Sequence, residues 1–137
     1  MFTKDMQVVT LGTGLVTIKD VFNKCGVNAL LADKSTVKLG VLPIWKGRVY
    51  EVTIHSEDTS IEDIKIKCSE GQVFRSITGD FIEIDKLKGQ RLRSLGQSSV
   101  YCTEVREAGY GLLYQLVKLE RAPHVITAFI NGIEVLI

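Results

Sequence analysis

The sequence predicts an all-β fold, and three observations lead to this prediction. Short runs of alternating apolar and polar residues recur about every ten residues, each closed by a turn, which is typical of antiparallel sheets rather than βαβ units. Helical periodicity is weak throughout. The chain finishes with two apolar runs joined by Asn131-Gly132, a strong hairpin signal because a type I′ turn needs positive φ at both central residues.

The alternating runs predict strands in order along the chain. The clearest is 49–55, where apolar and polar side chains alternate without interruption. The segment 33–40 fits a strand or a loop crossing equally well. The predicted strands are 7–10, 49–55, 64–68, 73–77, 81–84 and 112–119, followed by the hairpin within 125–135.

One or two short helical turns complete the prediction. The first covers 17–22, with Thr17 or Gly14 near its start. The second covers 84–89 and ends with Gly89 in the C′ position. Two prolines and no low-complexity tract leave nothing that resembles a linker, so we expect a single domain over 1–137.

The net charge and the length of the apolar runs indicate which kinds of partner we do not expect this chain to bind. Seventeen basic and sixteen acidic residues give a net charge of +1, so no field favours nucleic acid or an anionic membrane. A basic cluster over 86–93 lies beside Glu83 and Asp85, and we interpret it as a solvated face. No apolar stretch approaches the roughly 18–20 residues of a membrane span. No basic segment followed by an apolar run opens the chain, so we expect no export by a standard signal peptide. We therefore expect no nucleic-acid or membrane partner and a cytoplasmic location, or a virion-associated one if the protein is viral.

The cysteines predict neither a metal site nor a disulfide framework. Cys25, Cys68 and Cys102 are widely spaced and odd in number, so we expect reduced thiols, no metal and no cofactor. Cys102 alternates with apolar neighbours, which indicates burial. An alternative makes Cys68 or Cys102 a nucleophile paired in space with His124.

Two aromatic residues are candidates for contact with a partner. Trp45 lies in an apolar run around a proline, and we favour a place in the core over an exposed anchor. Tyr110 stands between Gly109 and Gly111, which predicts a loop tip that could contact a partner. His55 ends a predicted strand before a polar loop, so we expect it to be exposed.

Four segments resemble, in order and spacing, the sequence blocks of the Hint (hedgehog/intein) domain. The first has Asp5 four positions after its start, and the second matches a block built around Thr-x-x-His. The segments are residues 1–10, 66–74, 78–92 and 113–119, the last followed by His124 and the closing hairpin. The resemblance implies a pseudo-symmetric horseshoe of curved strands, with both chain ends in one pocket beside Gln72. It also implies structural roles for Asp5, Gly89, Asn131 and Gly132.

The resemblance places the family's active positions on residues that lack its chemistry. Met1 stands where a thiol or hydroxyl would attack the preceding carbonyl, and a thioether cannot do so. Gln72 stands where a histidine would protonate the leaving amine, and an amide transfers no proton near neutral pH. Leu136 and Ile137 replace the terminal His-Asn. The full matching set is Met1, Ser69, Gln72, Gln115, His124, Leu136 and Ile137.

We therefore expect no catalytic residues and no enzyme activity. The leading hypothesis is an inactive intein-like module, structural or protein-binding, of phage or mobile-element origin, with a protein partner or self-association. One alternative is a mini-intein or Hint autoprocessing domain whose active residues were lost or mutated, naturally or by engineering. A second alternative is an unrelated small all-β adaptor.

Overall fold

The computed structural model describes residues 1–12, 14–96, 99–123 and 125–137. The described residues form β-strands, one short α-helix and one 3-10 helix. The elements are β1 (Gln7–Thr10), β2 (Gly14–Thr17), α1 (Ile18–Asn23), β3 (Val27–Leu30), β4 (Thr36–Ser56), β5 (Ile64–Cys68), β6 (Val73–Arg75), β7 (Phe81–Glu83), a 3-10 helix (Ile84–Lys86), β8 (Arg91–Leu92), β9 (Val100–Lys118), β10 (Thr127–Ile130) and β11 (Ile133–Leu136). None of the described helices is long and apolar enough to cross a bilayer.

The strands join into one antiparallel sheet, which confirms the predicted all-β fold. Their order is β7-β6-β11-β10-β1-β3-β4-β9-β8, with β2 beside β1 and β5 beside β4. Because the last hairpin lies between β1 and β6, the final strands pack in the middle of the sheet. The segment 33–40, for which the sequence left two choices, contains a turn and then β4 from Thr36 onward.

A long two-stranded ribbon of β4 and β9 spans the sheet. The two strands pair from Leu39 with Lys118 to Ser56 with Val100, and the register shifts three times along the way. Such shifts bend strands and increase their twist. The predicted strand 49–55 covers only the last part of β4, and the predicted strand 112–119 covers only the last part of β9. The prediction of a loop tip at Tyr110 was wrong, because Tyr110 pairs with Arg48 within it.

Apolar residues from nearly every strand form one core cluster. Cys102 is fully buried, as predicted, and so is Cys68. The prediction that Trp45 lies in the core was wrong, because 53% of this residue is exposed. It pairs with the buried Leu113 on β9 but lies over an open cleft. The largest fully buried side chains are Phe2, Phe74, Ile18, Leu39, Ile54, Ile66, Leu87, Leu92, Ile130, Ile133, Val8 and Val21.

The helical turns follow their capping signals in part. Thr17 caps α1, and its hydroxyl accepts the Asp20 N–H at 3.2 Å. The 3-10 helix is shorter than predicted, with Leu87 as its C-cap, so Gly89 is not its C′ residue. Gly89 instead has φ +84, and its N–H donates to the Cys102 carbonyl at 2.8 Å. It therefore connects the turn to β9.

The closing hairpin has the predicted turn. Asn131 and Gly132 have φ values of 50 and 82. The Asn131 side chain also accepts the Gln7 N–H at 2.8 Å and donates to the Lys65 carbonyl at 2.9 Å. One turn residue thus fastens the hairpin to β1 and β5.

Replacing Gly132 by alanine isolates the cost of this left-handed turn. A Cβ at Gly132 meets nothing within 4 Å, so the penalty is conformational. We expect Gly132→Ala to lower the free energy of unfolding by about 1 kcal/mol in urea denaturation. Gly96 is the matched control, since its Cβ position is also open but its φ is not in the left-handed region. Gly96→Ala should be neutral or slightly stabilising. Equal losses in both variants would contradict this account of the turn.

Candidate functional site

The first residues of the chain lie between β5 and β9. The N–H of Phe2 donates to the Tyr114 carbonyl at 3.1 Å, and the Tyr114 N–H returns to the Phe2 carbonyl at 2.7 Å. Phe2 also forms a bridge with Cys68, the last residue of β5. Its side chain is 2% exposed, so burial and backbone pairing together hold the chain start in place.

Strand pairing brings the last residues of the chain close to the first ones. Val135 of β11 pairs with Phe74 of β6, and the Ile137 N–H donates to the Ile126 carbonyl at 3.1 Å. Gln72 immediately precedes β6. This antiparallel pairing therefore brings Gln72 beside Leu136.

A single side-chain amide joins the two ends. The Gln72 Oε1 accepts from the backbone nitrogen of Met1 at 2.7 Å, and its Nε2 donates to the Leu136 carbonyl at 2.9 Å. Nε2 also donates to the Val73 carbonyl at 3.1 Å, and the Met1 nitrogen donates to Ser69 Oγ at 3.3 Å. Because Gln72 is only 5% exposed, these bonds form largely away from water.

The residues that form these contacts line a cleft of about 740 Å³. Six of the seven positions that the sequence resemblance assigned to the Hint active site lie around it, and His124 lies outside the described residues. Asp5 lies on the exposed surface and accepts a hydrogen bond from Thr3 Oγ1 at 2.6 Å. The six cleft positions are Met1, Ser69, Gln72, Gln115, Leu136 and Ile137.

Residues that sequence reasoning did not assign to the site complete the cleft. Trp45 and Leu113 pair across the β4–β9 ribbon, and Tyr110 is 70% exposed beside them. Lys46, Arg48 and Glu70 add charge to the lining. One wall of the cleft forms where 45–48 of β4 pairs with 110–113 of β9. A prediction of strands that continue through both segments would have located this wall. Gly109 and Gly111 interrupt the alternating pattern of β9, so the sequence indicated a loop there.

Burial determines the acid–base properties at the base of the cleft. Desolvation lowers the pKa of the Met1 amine to about 6, and the nearby Cys68 opposes this shift. Desolvation raises the pKa of the Cys68 thiol to about 12, against the effect of the amine. Burial also raises the pKa of Cys102. Neither buried thiol is activated as a nucleophile, which argues against the hypothesis of a displaced cysteine nucleophile.

Chemically, the described groups at the base of the cleft can donate and accept hydrogen bonds. Ser69 offers a hydroxyl and Gln72 an amide, whereas Met1, Leu136 and Ile137 offer no titrating side chain. Within the described part of the chain, no three His, Cys, Asp or Glu side chains are placed to hold a metal ion.

The antiparallel sheet brings both ends of the chain to one cleft, and solved structures show that this is a Hint/intein-like fold. The gp41-1 intein is 23% identical with a TM-score of 0.73, covering 98% of this chain and 95% of that one. The DnaB intein from Synechocystis sp. PCC 6803 is 18% identical with a TM-score of 0.72, covering 98% and 96%. The bacterial intein-like domain from Clostridium thermocellum is 18% identical with a TM-score of 0.68, covering 99% and 97%. No protein-family model and no curated protein matches the sequence.

When the chain begins with a free amine at Met1, the burial of that amine makes the free energy of unfolding depend on pH. Its pKa is about 6 in the folded chain against about 8 when exposed, so the unfolded chain binds more protons between these values. The free energy of unfolding should therefore rise by about 2 kcal/mol from pH 6 to pH 8. The control is the same 137-residue chain acetylated at Met1, which lacks this titration. An identical pH dependence in both forms would contradict the assignment.

Thiol burial predicts an order of reactivity. Cys25 is exposed, whereas Cys68 and Cys102 are buried with raised pKa values. A chromogenic disulfide reagent at pH 8 should label one thiol quickly in the native chain and all three in denaturant. Cys25→Ser should remove the fast phase. Rapid native labelling of Cys68 would contradict the burial of this thiol.

Proposed function

We propose that this chain is a non-catalytic Hint-fold module, in which the cleft holds polypeptide rather than cutting it. The observation that supports the proposal best is the chemistry of the point where the chain ends meet. Gln72 bridges Met1 and Leu136 with hydrogen bonds from a group that does not titrate. The geometry of a Hint cleft is thus maintained by a residue that cannot act as a general acid.

Each step of splicing-type chemistry lacks its group at the described positions. An acyl shift needs a thiol or hydroxyl where Met1 stands. Protonation of the leaving amine needs an acid where Gln72 stands, a contribution typically worth ~10²–10⁴-fold. Cyclisation needs a side-chain amide where Ile137 stands. Ser69 supplies a hydroxyl, but its oxygen accepts from the Met1 nitrogen.

A role in protein binding is supported by the wall of the cleft. Trp45 and Tyr110 are exposed by 53% and 70%, and both line the cleft beside the chain ends. Large aromatic side chains next to hydrogen-bonding groups are typical of protein-contact sites. Cytoplasmic location and phage or mobile-element origin stay predictions.

The direct test places residues 1–137 between two folded reporter domains. We expect both junctions between this segment and the reporters to stay intact through prolonged incubation with dithiothreitol or hydroxylamine, measured by intact mass spectrometry. Both reagents cleave thioesters, and hydroxylamine also cleaves oxygen esters. Ligated reporters, or fragments cut at either junction between residues 1–137 and a reporter, would contradict the proposal. A cut between Asn131 and Gly132 would not, because hydroxylamine cleaves Asn-Gly bonds directly.

The second candidate function is an autoprocessing domain that has lost its reactive groups. The convergence of six family positions on one cleft favours it. Its test is the precursor carrying Met1→Cys, Gln72→His, Leu136→His and Ile137→Asn. Restored cleavage would support the second candidate. A folded, inert precursor would support the non-catalytic module.

The matched control keeps Gln72 and carries only the other three substitutions. If the cleft can be reactivated, the histidine should accelerate amide cleavage by ~10²–10⁴-fold over this control. Equal rates would show that position 72 does not supply the proton. Circular dichroism of both precursors establishes that they are folded.

A further inference from the structure

Two arginines lie opposite each other where β6 ends and β8 continues into the following segment. The Arg93 N–H donates to the Arg75 carbonyl at 3.2 Å, and the adjacent bridge joins Ser76 with Leu92. Like charges directly opposite each other in antiparallel strands are destabilising unless something compensates them.

Both guanidinium groups approach Gly79. A Cβ placed on Gly79 would lie 3.6 Å from Nη2 of Arg75 and 3.6 Å from Nη2 of Arg93. Gly79 has φ +95, so the turn itself selects a residue without a side chain there. The end of β6 and the segment after β8 thus bring two positive groups to one glycine.

The arginines lack protein acceptors within the described parts of the chain. Neither guanidinium forms an ion pair with a described residue, and Arg75 Nε is buried without a hydrogen-bond partner. The nearby carboxylates bond elsewhere: Asp80 accepts from Thr78 at 3.1 Å, and Glu134 accepts from Thr127 at 2.7 Å. Buried donors are normally paired, so this one indicates a missing acceptor.

Packing fixes the orientation of one guanidinium. Arg75 lies over the Phe81 ring, 4.7 Å from its centroid, and the two residues pair across β6 and β7. A planar guanidinium held on an aromatic face presents its N–H groups in a fixed fork, so little side-chain freedom is lost when an anion binds.

We propose that Arg75 and Arg93 form a binding site for a tetrahedral oxyanion, a phosphate group in particular, over Gly79. Two guanidinium groups carried by separate segments of the chain can both donate to one anion. A tetrahedral anion can accept from both at once, whereas the two oxygens of a carboxylate match one fork. The site is separate from the cleft that carries the proposed function.

Inorganic phosphate is the probe, titrated into the isotopically labelled chain at constant ionic strength. We expect saturable shifts of the Gly79 amide and the Arg75 Nε–H resonances in nuclear magnetic resonance spectra. Sulfate should bind comparably and acetate more weakly. The absence of saturable shifts at these two groups, or acetate binding as tightly as phosphate, would overturn the proposal.

Arg91 provides the matched control variant. It lies two residues from Arg93, but its guanidinium pairs with Glu57 at 2.7 Å. Arg93→Gln should weaken phosphate binding by about tenfold or more, because charge-assisted hydrogen bonds are lost. Arg91→Gln removes the same charge and should change the affinity by less than about twofold. Equal weakening would show that net charge alone attracts the anion and would overturn the site.

If Arg93→Gln does not fold, Arg93→Lys is the second variant. It retains the charge but should still weaken phosphate binding, because lysine lacks the fork of N–H donors that a guanidinium offers.

Discussion

The bridge through the Gln72 amide is the constraint on which the site depends. One oxygen and one nitrogen of the same side chain bond the first and the penultimate residues of the chain. A carboxamide suits this task because it is both donor and acceptor and keeps both properties at every pH. The same neutrality removes proton transfer, so this residue preserves the geometry of the cleft while leaving it without acid–base chemistry.

Non-local pairing makes this bridge possible. The β4–β9 ribbon supplies one wall of the cleft, and its register shifts bend it around the core. Asn131 ties the closing hairpin to β1 and β5, and β11 of that hairpin pairs with β6. On the ribbon, Arg106 donates to the buried Glu51 at 2.8 and 3.2 Å. This hydrogen bonding lowers the pKa of Glu51 and keeps it charged.

Local patterns predicted those parts of the fold that local chemistry determines. Alternation located β1 and β5, the hydroxyl of Thr17 marked the start of α1, and Asn131-Gly132 marked the last turn. The sequence could not predict that β4 and β9 continue through Gly47 and Gly111, since glycine interrupts the pattern while pairing maintains the strand. Trp45 was misplaced for the same reason.

The candidate site was predictable only through resemblance to a family. No pattern in the residues brings Gln72 to Leu136, because 64 positions separate them and strand register alone joins them. The arginine pair beside Gly79 was not predicted either. Arg93 was interpreted as part of a solvated basic cluster, and nothing in the sequence indicates that Arg75 faces it.

The most direct measurement of the central claim is the free energy of unfolding of Gln72→Met. Methionine fills the space but leaves the Leu136 carbonyl without its donor, and we expect the free energy of unfolding to fall by about 2 kcal/mol. Gln115→Met, at an exposed position of the same cleft, should change stability by no more than about 0.5 kcal/mol. If the two variants are equally stable, the ends of the chain do not depend on the Gln72 amide, and the account is contradicted.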